Sequence, residues 1–191
     1  MTAFPFPWKL IPAVRALRDG GVIAYPTEAV FGLGCDPLNA EAVNRILALK
    51  NRSVDKGLIL AAARIEQLEP WMAPLNQDQR RQLEVTWPGP VTWLTPASEL
   101  CPSWIRGRNR NVALRVSAHP VVAELSRRFG GPIVSTSANP AGREPERDAQ
   151  GVRRRFGAAL DAIVHAPVGD LAQPTEIRDL TTGTILRASA P

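Results

Sequence analysis

Short apolar runs alternate with segments of helical spacing along this chain, and that alternation limits the fold more than any other feature. The runs GVIAYPT, GLILAAA, VTWLTPA, VALRVSA and PIVSTSAN have the length and residue types of strands. Between them, PAVRALRDGG, AEAVNRILALK, LNQDQRRQLEV, HPVVAELSRRFGG and DAQGVRRRFG read as helices. The order predicts an α/β or mixed α+β domain. Pro12 suits a first helical turn and Gly20 its C-cap, after which GVIAYPT runs as a strand to Pro26. Asn39 is a good N-cap for the next helix, where Val43, Ile46, Leu47 and Lys50 fall at i, i+3, i+4 and i+7. Lys50 therefore continues a buried stripe into the last turn. GLILAAA, apolar throughout, predicts a central strand. DAIVHA adds another, and EIRDLTTGTILRA a hairpin turning at Thr182 and Gly183. Glycine and proline are spread along the chain, no linker stands out, and one domain over residues 1–191 is expected.

Positive charge is written almost wholly as arginine: of 23 basic residues, only Lys9, Lys50 and Lys56 are lysine. Two of the three lie in LALKNRSVDKGLIL. A lysine kept against such a bias offers a compact, hydrated point charge that a planar guanidinium does not imitate. Lys50, Arg52 and Lys56 place three cations in seven residues, between a helix end and a strand start, at the rim where α/β proteins put ligand sites. Their mutual repulsion is relieved by an anion such as a triphosphate, although charge runs are more often solvated faces. The net charge of +5 and pI near 10 allow nucleotides, RNA or phosphorylated substrates, but 18 acidic residues exclude a histone-like chain.

Two cysteines, Cys35 and Cys101, without a CxxC pair, and only two histidines argue against structural zinc, and no metal-ligand set is read. Free thiols fit a reducing cytoplasm. Proline and tryptophan interrupt the N-terminal stretch where a signal peptide needs an apolar core, and no run approaches the roughly 20 apolar residues of a membrane span. A soluble, cytoplasmic protein is expected.

Two strings carry unusual polarity. YPTEAVFGLG ends a strand with Thr27, Glu28 and two glycines, Gly32 and Gly34, and a plain turn accounts for Thr27 and Glu28. STSAN follows the apolar PIV and presents Ser135, Ser137 and Asn139, as a strand emerging at a pocket wall does. A plain strand end fits as well. There is no G-x-S-x-G around the serines, no nucleophile assigned to His119 or His165, no G-x-x-x-x-G-K-[ST] and no dinucleotide fingerprint. Arg106, Arg108 and Arg110 beside Trp104, and Arg153, Arg154 and Arg155, suit RNA phosphates or, more commonly, a solvated face.

In order, PTEAVFGLGCD, LKNRSVDKGLIL, WPGPVTWL, ALRVSAHP, IVSTSANPAG and EIRD…ILR closely resemble the YrdC-like threonylcarbamoyl-AMP synthases. The similarity runs from about Pro12 to Arg187 and is nearest the short bacterial type, TsaC. It implies a twisted, mainly parallel and partly mixed sheet with helices around a large basic cavity. The implied reaction joins L-threonine, bicarbonate or CO2, and ATP as substrate into threonylcarbamoyl-adenylate and pyrophosphate, with Mg2+ assisting. The implied recipients are partner proteins of tRNA threonylcarbamoyl-adenosine modification, and tRNA itself is a possible ligand. Carried over by motif, Lys50, Arg52 and Lys56 are catalytic contacts to phosphates and the threonine carboxylate. Thr27, Arg115, Ser135 and Thr175 are threonine contacts, and Ser137, Asn139 and Arg187 join Arg52 and Lys56 at ATP. Thr175 stands where relatives often have serine. A histidine that helps hold threonine in some relatives is absent from LILAAA.

Two other classes stay in play: a non-catalytic RNA-binding protein using the same cavity, and a carbamoyl-adenylate enzyme like the domain inside hydrogenase-maturation carbamoyltransferases.

Overall fold

A computed structural model describes residues 7–188. Nine strands form one sheet: β1 (Ile23–Pro26), β2 (Phe31–Gly34), β3 (Ile59–Ala62), β4 (Val91–Pro96), β5 (Asn111–Val116), β6 (Ile133–Ser137), β7 (Ala162–Ile163), β8 (Glu176–Asp179) and β9 (Ile185–Arg187). Their spatial order is β7-β1-β2-β6-β3-β5-β4-β8-β9. Three pairings, β1 with β7, β3 with β5 and β4 with β8, are parallel, and the other five are antiparallel. The sheet is more mixed than the expected mainly parallel one, because β1 and β2 form a hairpin and β6 runs antiparallel to both its neighbours.

GLILAAA supplies β3, which lies centrally between β6 and β5 as expected. The second strand of the hairpin, β2, was not anticipated. FGLG has low strand propensity, yet close approach requires it: a Cβ on Gly34 would lie 2.5 Å from the Val134 carbonyl and 2.6 Å from the Tyr25 ring. Helices α1 (Ile11–Arg18), α2 (Ala40–Lys50), α3 (Gln77–Thr86), α5 (Pro120–Phe129) and α6 (Ala149–Phe156) match the helical patterns, while the short α4 (Ser103–Arg106) was missed. Asn39 caps α2 by accepting from Ala42 N, and Asn76 with Gln79 forms a reciprocal capping box on α3.

Strand alternation sorts the core into two layers. Ile23, Tyr25, Ala61 and Ile133 pack with Leu17 of α1 and Val122 and Leu125 of α5. Ala24, Leu60, Ala62 and Val134 point the other way, into a cluster with Val43 and Ile46 of α2 and Leu83 of α3. Each fully buried valine, leucine or isoleucine among them contributes about 1.5–3 kcal/mol by leaving water, so the sheet is anchored from both faces. What remains for chemistry is the rim where strand ends and loops meet. Among the described residues, no helix is long and apolar enough to cross a membrane.

Candidate functional site

At that rim lies a cavity of about 540 Å³. The loop after α2 forms one wall. Asn51 turns left-handed at φ 48°, Ser53 caps a short 3-10 turn over Val54–Lys56, and Gly57 leaves it at φ 64°. This geometry directs Arg52 and Lys56 to the cavity. Arg52 donates to the Gly57 carbonyl at 3.0 Å, while its Nε is buried without a partner.

The loop is backed by the segment after α4. Leu58 N donates to Ile105 O (2.8 Å), Arg108 N to Asp55 O (3.2 Å), and Arg108 pairs with Asp55 at the surface. Gly107, at φ 66°, lets the two backbones touch. The segment also brings Arg106, Asn109 and Asn111 to the cavity wall. Sequence reasoning missed these as site residues and read Arg106 as a solvated or RNA-facing charge. Its neighbours Trp104 and Ile105 were the available signal, since apolar residues beside a cation imply packing.

A second wall is the end of β6 and the loop after it, with Ser135, Ser137 and Asn139. Ser137 Oγ donates to Asn139 Oδ1 (2.6 Å), and Asn139 Nδ2 donates to Arg143 O (2.6 Å). Lys50 sits behind this wall instead of lining the cavity beside Arg52 and Lys56, and here the structure differs from the expected trio of substrate-facing cations. The helical stripe that buries Lys50 also aims its Nζ at the carbonyls of Ser137 and Asn139 (2.8 Å for the latter) and at Asn139 Oδ1 (3.2 Å). Burial, followed by repulsion from Arg52, lowers its pKa to about 8.

The third wall carries Thr27, Arg115, Thr175 and Arg187. Arg115, deep in β5, donates to Thr175 Oγ1 at 2.6 Å. Arg187 reaches the Thr175 carbonyl through Nε (3.1 Å) and a terminal nitrogen (2.6 Å). Thr175 therefore joins the two guanidiniums. The Thr27 hydroxyl donates to Val30 O at 2.7 Å, closing the turn between β1 and β2 and leaving its oxygen free to accept. Burial lowers the pKa of Arg52 and, reinforced by Arg115 and Arg52, that of Arg187.

Of the ten residues singled out from sequence, nine line one cavity and Lys50 braces it from behind. The lining includes five cations, Arg52, Lys56, Arg106, Arg115 and Arg187, and no carboxylate. Such a wall favours a multiply charged anion. The cysteines lie elsewhere in the core, where burial raises both thiol pKa values, that of Cys101 to about 11. His119 is buried and its pKa is lowered chiefly by burial, whereas His165 is exposed.

Comparison with known proteins fits this geometry. A threonylcarbamoyl-AMP synthase of Cellvibrio japonicus is 54% identical over 186 residues, covering 95% of this chain and 98% of the relative. The structure of P. abyssi Sua5 complexed with L-threonine superposes with a TM-score of 0.88 at 33% identity, covering 95% of this chain but only 54% of the longer Sua5 chain. E. coli YciO superposes with a TM-score of 0.87 at 25% identity, covering 98% of this chain and 92% of YciO. The model of the Sua5/YciO/YrdC family, described as "Telomere recombination", matches residues 15–189, and the chain therefore belongs to that family.

Proposed function

We propose that this protein is a threonylcarbamoyl-AMP synthase, converting L-threonine, bicarbonate or CO2, and ATP into threonylcarbamoyl-adenylate and pyrophosphate. The observation that carries the reading is the cavity wall itself, with its five cations, no carboxylate, and a polar corner at Thr27, Arg115 and Thr175. The unpartnered Nε donors of Arg52 and Arg115 suit an anionic ligand. The name of the Cellvibrio relative and the threonine in the Sua5 structure support the same assignment.

The chemistry needs no protein nucleophile, in keeping with the lack of a triad. A neutral threonine amine attacks CO2 and loses a proton, giving a carbamate anion that the cations stabilise. A carbamate oxygen then attacks the α-phosphate of ATP, and pyrophosphate leaves with the growing negative charge. Arg52, Lys56 and Arg187 meet that charge, Ser137 and Asn139 orient the nucleotide, and Thr27, Arg115, Ser135 and Thr175 hold threonine. Positioning of this kind is worth large factors when three substrates must meet. Since the lining has no carboxylate, a Mg2+ would take its oxygens from ATP phosphates and water, adding charge neutralisation. The adenylate, a reactive mixed anhydride, passes to proteins that modify tRNA, in the cytoplasm.

Pyrophosphate release with threonine and bicarbonate omitted in turn tests the proposal. Release requiring both is expected. Release indifferent to either, with salt-sensitive RNA binding, would move the assignment to an RNA-binding protein.

Lys50 acts in this scheme by holding Ser137 and Asn139. Its folded pKa, near 8, lies below the unfolded value, so between the two the unfolded chain binds more protons and the Lys50 contribution to stability rises with pH. Activity is expected to move the opposite way, falling through an apparent pKa near 8 as the ammonium loses its charge. Because the neutral threonine amine grows over the same range, the check is the ratio of parent to Lys50→Arg rates from pH 7 to 9.5, beside thermal melts, and a ratio that does not fall with pH would contradict the role.

A further inference from the structure

Behind the third wall stands a carboxylate that the proposed reaction does not use. Glu28 follows Thr27 in the turn between β1 and β2, is 7% exposed, and is absent from the cavity lining. Its Oε1 accepts from Ser117 Oγ at 2.6 Å, and its Oε2 lies 3.4 Å from a terminal nitrogen of Arg115. Both members of this ion pair are buried.

The backbone around Glu28 is pinned. Gly169 N donates to Thr27 O (2.9 Å) and Leu171 N to Glu28 O (3.1 Å). A Cβ at Gly169 would lie 2.7 Å from the Glu28 carbonyl, so the strap approaches as closely as glycine permits. With its main chain fixed and one carboxylate oxygen tied to Ser117, Glu28 has little freedom to turn away from Arg115.

Electrostatics gives the arrangement its purpose. Burial and then the charges of Arg115 and Arg52 depress the pKa of Arg187, so Arg187 feels both guanidiniums at the cavity wall. Among the described residues, Glu28 is the carboxylate ion-paired with any of them. Resting on the reading of this site as a threonine and ATP site, we propose that Glu28 is a positioning residue that holds Arg115 toward the carboxylate of the amino-acid substrate.

Neutralising Glu28 has two opposed effects: Arg115 gains uncompensated charge, which favours an anion, and loses its orienting partner. The second effect wins. Arg52 and Arg187 already supply unpaired positive charge, and a buried guanidinium stripped of its carboxylate swings toward other acceptors. A charge-assisted contact of this kind corresponds to about tenfold or more in affinity.

The test is calorimetric binding of L-threonine and, separately, ATP to the full chain, its Glu28→Gln variant and an Asp161→Asn control. Asp161 holds β1 through Val22 N (2.7 Å) and Arg45 (2.9 Å), so its variant reports general loosening of the same sheet edge remote from the cavity. Expected for Glu28→Gln is threonine affinity weaker by about tenfold or more with ATP affinity changed less than about twofold, a split that Asp161→Asn does not share. Should Glu28→Gln fail to fold, Ser117→Ala keeps the charge but frees the carboxylate, and is expected to weaken threonine by about threefold in the same selective way. Equal losses for both ligands, or unchanged threonine affinity in a folded variant, overturn the proposal alone. A parent chain that binds ATP but no threonine overturns the threonine reading of the site, and this inference with it.

Discussion

Replacing Lys56 with alanine is expected to cut turnover by about a hundredfold or more while leaving thermal stability nearly unchanged. The side chain is exposed at the cavity wall, and its ammonium makes no hydrogen bond or ion pair among the described residues. Its removal therefore creates no hole and orphans no partner. What it removes, on the proposed reading of the cavity, is a cation beside the departing pyrophosphate, where charge grows only as the bond breaks. Interactions realised in the transition state lower kcat, whereas uniform binding would raise KM. Initial rates of pyrophosphate release at saturating ATP, with a melt of each protein, separate the cases. A variant with near-normal kcat would remove Lys56 from the reaction.

The second large effect concerns Gly107. Its φ of 66° with ψ of −143° is open to glycine almost alone, and a Cβ there would stand 2.3 Å from Asp55 O and 2.8 Å from Gly57 N. Gly107→Ala is expected to destabilise the fold by about 3 kcal/mol or more, and to lower activity besides, because the displaced backbone carries Lys56. Gly130→Ala supplies the comparison. That position also has positive φ, 97°, but nothing lies within 4 Å of its Cβ, so about 1 kcal/mol of backbone strain is all that is expected. Urea midpoints of the two variants decide it, and equal losses would show that the contact with Asp55 carries no weight.

Periodicity in the sequence located most elements because their burial is regular. α2 was legible from Asn39 to Lys50, and the apolar GLILAAA marked a strand covered on both faces. β2 was illegible for the opposite reason: its glycines serve a close approach to the Tyr25 ring of the hairpin partner and to Val134 of β6, a strand distant in sequence, which no local propensity encodes. The site was read largely through motif order, which collected nine cavity residues from five segments. Lys50 shows the limit of that route. The spacing that placed it on the buried stripe of α2 already implied a side chain under the wall, but its grouping with Arg52 and Lys56 by charge obscured this. Arg106 was missed because the run of arginines was read as one charged face, so the packing signalled by Trp104 and Ile105 did not decide which one turns inward. That depends on Gly107 and on the carbonyl of Asp55, a tertiary contact across fifty residues.

The place of β6 in the sheet bears on how the chain acquires its shape. β1 and β2 pair with each other, and β3, β4 and β5 pair among themselves, and among the described strands β6 is the one that pairs with both groups. Without residues 133–137 the two strand sets share the packing of α5 but no backbone pairing, and each has unpaired edges able to recruit foreign backbone. Residues 133–137 cover the facing edges of β2 and β3 at once and bring Ser135 and Ser137 to their stations, while the outer edges of β1 and β4 are paired by β7 and β8. The joining of the two strand sets and two serines of the cavity wall thus arrive with the same late strand.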